Sequence, residues 1–148
     1  CIEVAFTPQR LINASGESAS LDSLRGQPIS AFCGIGNPVG FRRTLSDIGL
    51  PVTDAQFRIF PDHHRYTRED VETLTKWAAT YSLSALVTTL KDQVKITVDK
   101  LGATPLWSVD IGTTVLANEQ LLTEQLDLIH RLIPASVAPT ESDQPAVP

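Results

Sequence analysis

Apolar positions recur at two spacings along this chain, every second residue in short runs and every third or fourth in longer ones, and the two alternate from Pro28 to Leu132. Ile2-Glu3-Val4-Ala5-Phe6 alternates as a strand does, and Arg10-Leu11-Ile12-Asn13 reads as its short partner after Thr7-Pro8-Gln9, which predicts a hairpin. Residues 14–20 are polar and turn-rich. Pro28 to Cys33 is a compact apolar run, the mark of a buried strand. A glycine-rich turn follows, then a helix with Asn37 as its cap and Pro38 in its first position, where a missing N–H costs nothing. Phe41, Leu45 and Ile48 give that helix its apolar stripe, and Gly49 suits its C-terminal cap.

Asp54 to Phe60 alternates again and predicts a strand that Pro61 stops by removing a backbone donor. Thr67 and Asp70 have the spacing of a capping box, opening a helix to about Thr80 with Val71, Leu74, Ala78 and Tyr81 facing inward and Trp77 in the core. Ser84 to Thr89 is a further apolar strand, Leu106 to Leu116 a strand or pair of strands, and Asn118 caps a last helix to about Leu132. The stretch 134–148, rich in proline and poor in large apolar groups, is expected to be disordered. The organisation expected is a hairpin or linker over 1–13, an α/β domain over 21–133 and a tail over 134–148. The fold class is α/β, a layered domain with a mainly parallel sheet flanked by helices and preceded by a small β-hairpin.

With 148 residues and 42% hydrophobic content, the chain is one domain of ordinary size. Its net charge of -5 argues against nucleic acid as a partner, which needs a basic surface. Arg42, Arg43, Arg58, Arg65 and Arg68 nevertheless concentrate positive charge between positions 42 and 68, either a mixed solvated face or a patch turned toward an anion. Two distant cysteines make no disulfide framework, and Cys33 reads as a small buried hydrophobe. No run of 18 apolar residues and no secretory signal is present in these residues.

The chemistry gathers in Phe60-Pro61-Asp62-His63-His64-Arg65-Tyr66, a loop between strand and helix that holds two of the three histidines behind a carboxylate. In an open α/β sheet, loops at the carboxyl ends of strands bind ligands. A histidine beside a carboxylate can be tuned for proton transfer or oriented toward another group. A metal is disfavoured, because adjacent residues rarely converge on one ion and neither HExxH nor paired CxxC occurs. The plain alternative is a polar loop capping the next helix. Thr88 and Thr89 close their strand at its carboxyl end, and Lys91-Asp92 beyond can share a crevice with Asp62 and His63 if the two strands are parallel neighbours. An exposed ion pair or a helix cap is the competing reading of Lys91-Asp92.

Three stretches in this order resemble the tetraacyldisaccharide 4'-kinases, the family that phosphorylates the lipid A precursor. They are Leu24-Arg25-Gly26-Gln27-Pro28 running into Ala31-Phe32-Cys33-Gly34-Ile35-Gly36-Asn37-Pro38, then Phe60 to Tyr66, then Leu86-Val87-Thr88-Thr89-Leu90-Lys91-Asp92-Gln93-Val94-Lys95. Leu90 departs from the family pattern, which usually has glutamate there. The resemblance implies transfer of the ATP γ-phosphate to the 4'-hydroxyl of a tetraacyldisaccharide 1-phosphate. His63 would tune or orient a catalytic carboxylate with Asp62 holding its imidazole, and His64, Arg65, Thr88, Thr89, Lys91 and Asp92 would lie near substrate or nucleotide. These residues contain no GxxxxGK[ST] loop, and Gly34, Gly36 and Gly40 miss the GxGxxG spacing by one. The expectation is therefore a C-terminal domain, inactive alone, whose N-terminal P-loop partner holds most of the ATP and Mg2+. Its implied surroundings are the lipid A disaccharide precursor and the cytoplasmic face of the bacterial inner membrane. A noncatalytic α/β ligand-binding or interaction domain is the alternative.

Overall fold

A computed structural model describes residues 3–117, with side chains over 5–112. Residues 6–113 make one compact unit, to which the account below refers; the described parts of a second, 3–5 and 114–117, are strand. The helix expected after Asn118 and the proline-rich tail lie outside the described residues.

The strands are β1 (Glu3–Ile12), β2 (Ser18–Ala19), β3 (Ile29–Cys33), β4 (Phe57–Ile59), β5 (Ala85–Thr89), β6 (Lys100–Leu101) and β7 (Thr104–Ala117); the helices are α1 (Pro38–Asp47), α2 (Arg68–Thr80) and α3 (Leu90–Ile96). The strand order is β2-β1-β7-β5-β3-β4, with β6 antiparallel on β7. The β4-β3-β5-β7 part is wholly parallel, in register Ala31 to Phe57, Ala31 to Val87 and Val87 to Trp107. The α/β layered expectation therefore holds, including an N-terminal hairpin.

Two layers of core follow from the strand period of two. Ile29, Ala31 and Cys33 of β3 point with Ala85 and Val87 toward Phe41 and Leu45 of α1. Phe32 and Leu86 point the other way, toward Leu74, Trp77 and Ala78 of α2 and Ile96 of α3. Each helix starts as its sequence dictates. The Asn37 side chain accepts from the Gly40 amide with Pro38 in the first turn, and Gly49 ends the segment at φ +81°, a conformation that favours glycine. The Thr67 hydroxyl accepts from the Asp70 amide while the Asp70 carboxylate accepts from the Thr67 amide at 2.8 Å.

Four expectations are corrected in detail. The hairpin pairs β1 with β2, not residues 2–6 with 10–13, because β1 runs unbroken through Thr7-Pro8-Gln9. Asp54–Gln56 is a single 3-10 turn, so only Phe57–Ile59 is strand. Tyr81 is the C-terminal cap of α2 and 56% exposed, since the helix stops at Thr80 before its spacing can bring Tyr81 inward. Finally, β4 and β5 are not neighbours: β3 lies between them.

Leu74, fully buried in the α2 layer, should lose about 2–5 kcal/mol of stability on substitution by alanine. Tyr81→Ala should stay within about 0.5 kcal/mol. Urea denaturation of both variants checks the assigned inward face. The Asp70 carboxyl is held below its ordinary value, first by the Thr67 amide and then by the His64 ring. A group lowered on folding stabilises above its unfolded pKa, about 3.9 for aspartate, and loses that contribution as pH falls through the lower folded value. Asp70→Asn should therefore cost about 1–2 kcal/mol near pH 7. In denaturation measured against pH, that gap should narrow below about pH 4.

Candidate functional site

Neighbouring strands β3 and β5 send their chains to opposite sides of the sheet. The chain leaving β3 enters α1 in one layer, and the chain leaving β5 enters α3, whose Ile96 packs in the other. Such a divergence leaves a crevice at the carboxyl ends of the two strands, the usual ligand position in an open α/β sheet. Gly34-Ile35-Gly36 lies at one lip and Thr89-Leu90-Lys91-Asp92 at the other. The loop after β4 closes the third side.

Two pockets open there. One, of about 320 Å3, is lined by Gly34, Gly36, Asp62, His63, Lys91 and Lys95 among others. The second, of about 500 Å3, is largely apolar, with Phe41, Leu90, Val109 and Ile111 in its wall. Ile35 and Lys91 border both. Leu90 lines the larger pocket and is 43% exposed.

The two histidines of the loop have different surroundings. His63 has φ +57°, the left-handed region, and its side chain is 88% exposed. Its amide donates to the Gly34 carbonyl at 3.2 Å and to Asp62 Oδ1 at 3.0 Å. Asp62 Oδ2 is 3.7 Å from His63 Nε2, beyond hydrogen-bond length, so Asp62 grips the His63 backbone while its second oxygen faces the ring. His64 is instead built into the fold. Its ring stacks on Phe60 with centroids 4.9 Å apart, meets Tyr66 edge-on, and brings Nε2 to 2.9 Å from Asp70 Oδ2 in the cap of α2.

The crevice gathers Asp62, His63 and Lys91; it does not gather all the residues expected near a ligand. Thr88 is buried, and its hydroxyl donates to the Phe32 carbonyl at 2.8 Å, tying β5 to β3. Thr89 caps α3 by accepting from the Asp92 amide, and it also lines the larger pocket. Arg65 is exposed and lines neither pocket. Asp92 is 0% exposed, so the reading of Lys91-Asp92 as an exposed ion pair fails, while helix capping by this segment holds. Cys33 is buried too; burial and then the Asp92 carboxylate push its thiol up to about 11, which leaves no thiolate near neutrality. The arginine cluster is partly consumed internally. Arg42 pairs with Asp54, Arg68 with Glu72, and the Arg58 guanidinium lies 4.3 Å over the Trp77 ring.

Sequence reasoning passed over Gly34 as an individual residue. A Cβ there would sit 3.2 Å from Asp92 Oδ1, from His64 Cβ and from the Pro61 carbonyl, closer than ordinary van der Waals contact. The available signal was a glycine directly after a buried strand, where close backbone approach is a standard reason for glycine.

The family described as Tetraacyldisaccharide-1-P 4'-kinase matches residues 1–130. A Tetraacyldisaccharide 4'-kinase from Anaeromyxobacter sp. (strain K) is 32% identical over 146 residues, 98% of this chain and 37% of the relative. Another from Rickettsia bellii (strain OSU 85-389) is 45% identical over 95 residues, 64% of this chain and 28% of its own. The chain thus spans little more than a third of the longer match. A crystal structure of "apo" form LpxK from Aquifex aeolicus in complex with ATP superposes with a TM-score of 0.60 at 24% identity, covering 88% of this chain and 36% of that one, a likeness that shows the fold alone. On the match over residues 1–130, the chain belongs to the Tetraacyldisaccharide-1-P 4'-kinase family.

Proposed function

We propose that this chain forms one wall of the active site of a kinase that moves the ATP γ-phosphate to the 4'-hydroxyl of a tetraacyldisaccharide 1-phosphate. Family membership supports the reaction class, and the ATP named with the Aquifex neighbour supports the donor. The observation that carries the reading to particular residues is the divergence between His63 and His64. In one loop, one ring is committed to the fold and the other stands exposed, in a left-handed conformation, beside a pocket with two lysines.

Phosphoryl transfer depends mainly on positioning and charge stabilisation, with a base for the attacking hydroxyl. In this reading His63 orients or tunes the carboxylate that deprotonates the acceptor. Lys91 and Lys95 supply positive charge toward phosphate oxygens. The described residues contain no group of three His, Cys, Asp or Glu side chains placed to hold a metal, and the chain carries no phosphate-cradling GxxxxGK[ST] loop. We assign Mg2+ and most of the nucleotide to an N-terminal P-loop domain of the intact enzyme. No helix among the described residues is long and apolar enough to cross a membrane. An acceptor with four acyl chains resides in a bilayer, so we place the reaction at the membrane surface, on the cytoplasmic side that supplies ATP.

In the intact enzyme, assayed with ATP and tetraacyldisaccharide 1-phosphate, His63→Ala should lower kcat by at least about tenfold, with a much smaller change in KM for ATP. His64→Ala should reduce stability more than rate. If both variants keep kcat within a factor of roughly three, less than about 1 kcal/mol of barrier, the loop is structural and the assignment falls.

A further inference from the structure

Asp92 lies on the inward face of α3 with Gln93 and Ile96: its neighbour Lys91 is exposed, whereas its own carboxylate is wholly buried. A buried carboxylate is expensive unless donors surround it. Oδ2 accepts from the Gly34 amide at 3.0 Å and from the Thr89 hydroxyl at 2.6 Å. Oδ1 has no hydrogen-bond partner, with Lys95 Nζ 3.8 Å away. The Tyr66 hydroxyl is likewise buried and unpartnered, and burial, then the Asp92 carboxylate, raise that phenol so that it stays protonated.

The Gly34 peptide carries this anchorage across the crevice. On one side its N–H donates to Asp92; the carbonyl of the same residue accepts from the His63 amide at 3.2 Å. A Cβ on Gly34 would crowd Asp92, His64 and the Pro61 carbonyl at 3.2 Å, so each would have to give slightly. A residue at φ +57° other than glycine is held there against its backbone preference, so contacts beyond its own backbone must hold it.

We propose that Asp92 is the positioning residue for His63, acting through the Gly34 peptide without touching substrate. This rests on the catalytic reading of His63 for its importance to rate, but the positioning itself is a property of the fold. The role needs an acceptor oxygen toward Gly34 and Thr89 rather than a negative charge. Asparagine at position 92 can supply that oxygen; alanine cannot.

The test has two arms. By NMR, amide hydrogen exchange in Asp92→Ala should accelerate at Gly34 and His63 by at least about tenfold more than at the core amide of Val87, whereas Asp92→Asn should keep that excess within about threefold. Gly34→Ala, which keeps the Asp92 carboxylate but crowds the clasp, should reproduce the alanine pattern and replaces Asp92→Ala if that variant does not fold. Exchange that rises equally at Gly34, His63 and Val87, or an asparagine variant as loose as alanine, overturns the proposal. In the intact kinase, Asp92→Ala should lower kcat with little change in KM for ATP, Asp92→Asn should recover most of the loss, and adding Asp92→Ala to His63→Ala should cost no more than about twofold further. Fully additive losses also overturn it. If the wild-type enzyme transfers no phosphate, the kinase reading fails and the exchange arm alone decides the positioning.

Discussion

Burial of β3 on both faces is the constraint from which the rest of this fold follows. Each of its five residues is enclosed, with parallel partners on either side, and a strand so placed must pass its chain to one face while its neighbour passes to the other. The carboxyl ends of β3 and β5 cannot then be covered by their own connections. Gly34, Asp92 and the loop after β4 converge because that gap is the one place where three connections can meet. The exposed lysines and His63 occupy what remains.

What was legible in the sequence was local. The caps at Asn37 and Thr67 depend on residues three or four apart, and the structure forms both. The buried runs ending at Cys33 and Thr89 needed only their composition and the breakers beside them. The misread positions share a different cause. Pro8 suggested a break, yet β1 continues through it, because pairing within a sheet outweighs the preference of one residue. Tyr81 kept the helical spacing one residue after the helix had ended. Nothing near Asp92 in the sequence announces that its carboxylate will meet an amide 58 residues earlier.

The paired histidines show how far residue type falls short of role. Neighbours in sequence would be expected to share an environment. Backbone conformation separates them: the left-handed turn at His63 directs its ring to solvent, while the return to ordinary geometry at His64 lays the next ring between Phe60 and Tyr66. A single dihedral angle thus divides one dipeptide between solvent and packed interior. The aromatic packing that secures His64 also supports the loop from below, so the exposed ring stands on a rigid base.

The long reach of the Asp92 to Gly34 contact also sets an order of events in folding. Loop closure over 58 residues is slow and costs entropy that only a formed sheet can repay. A nascent chain that has already exposed Gly34 and His63 still lacks the carboxylate that secures them until α3 has been synthesised and β5 has docked. The crevice thus cannot take its final shape before α3 has been made, and a partly made chain cannot assemble it early.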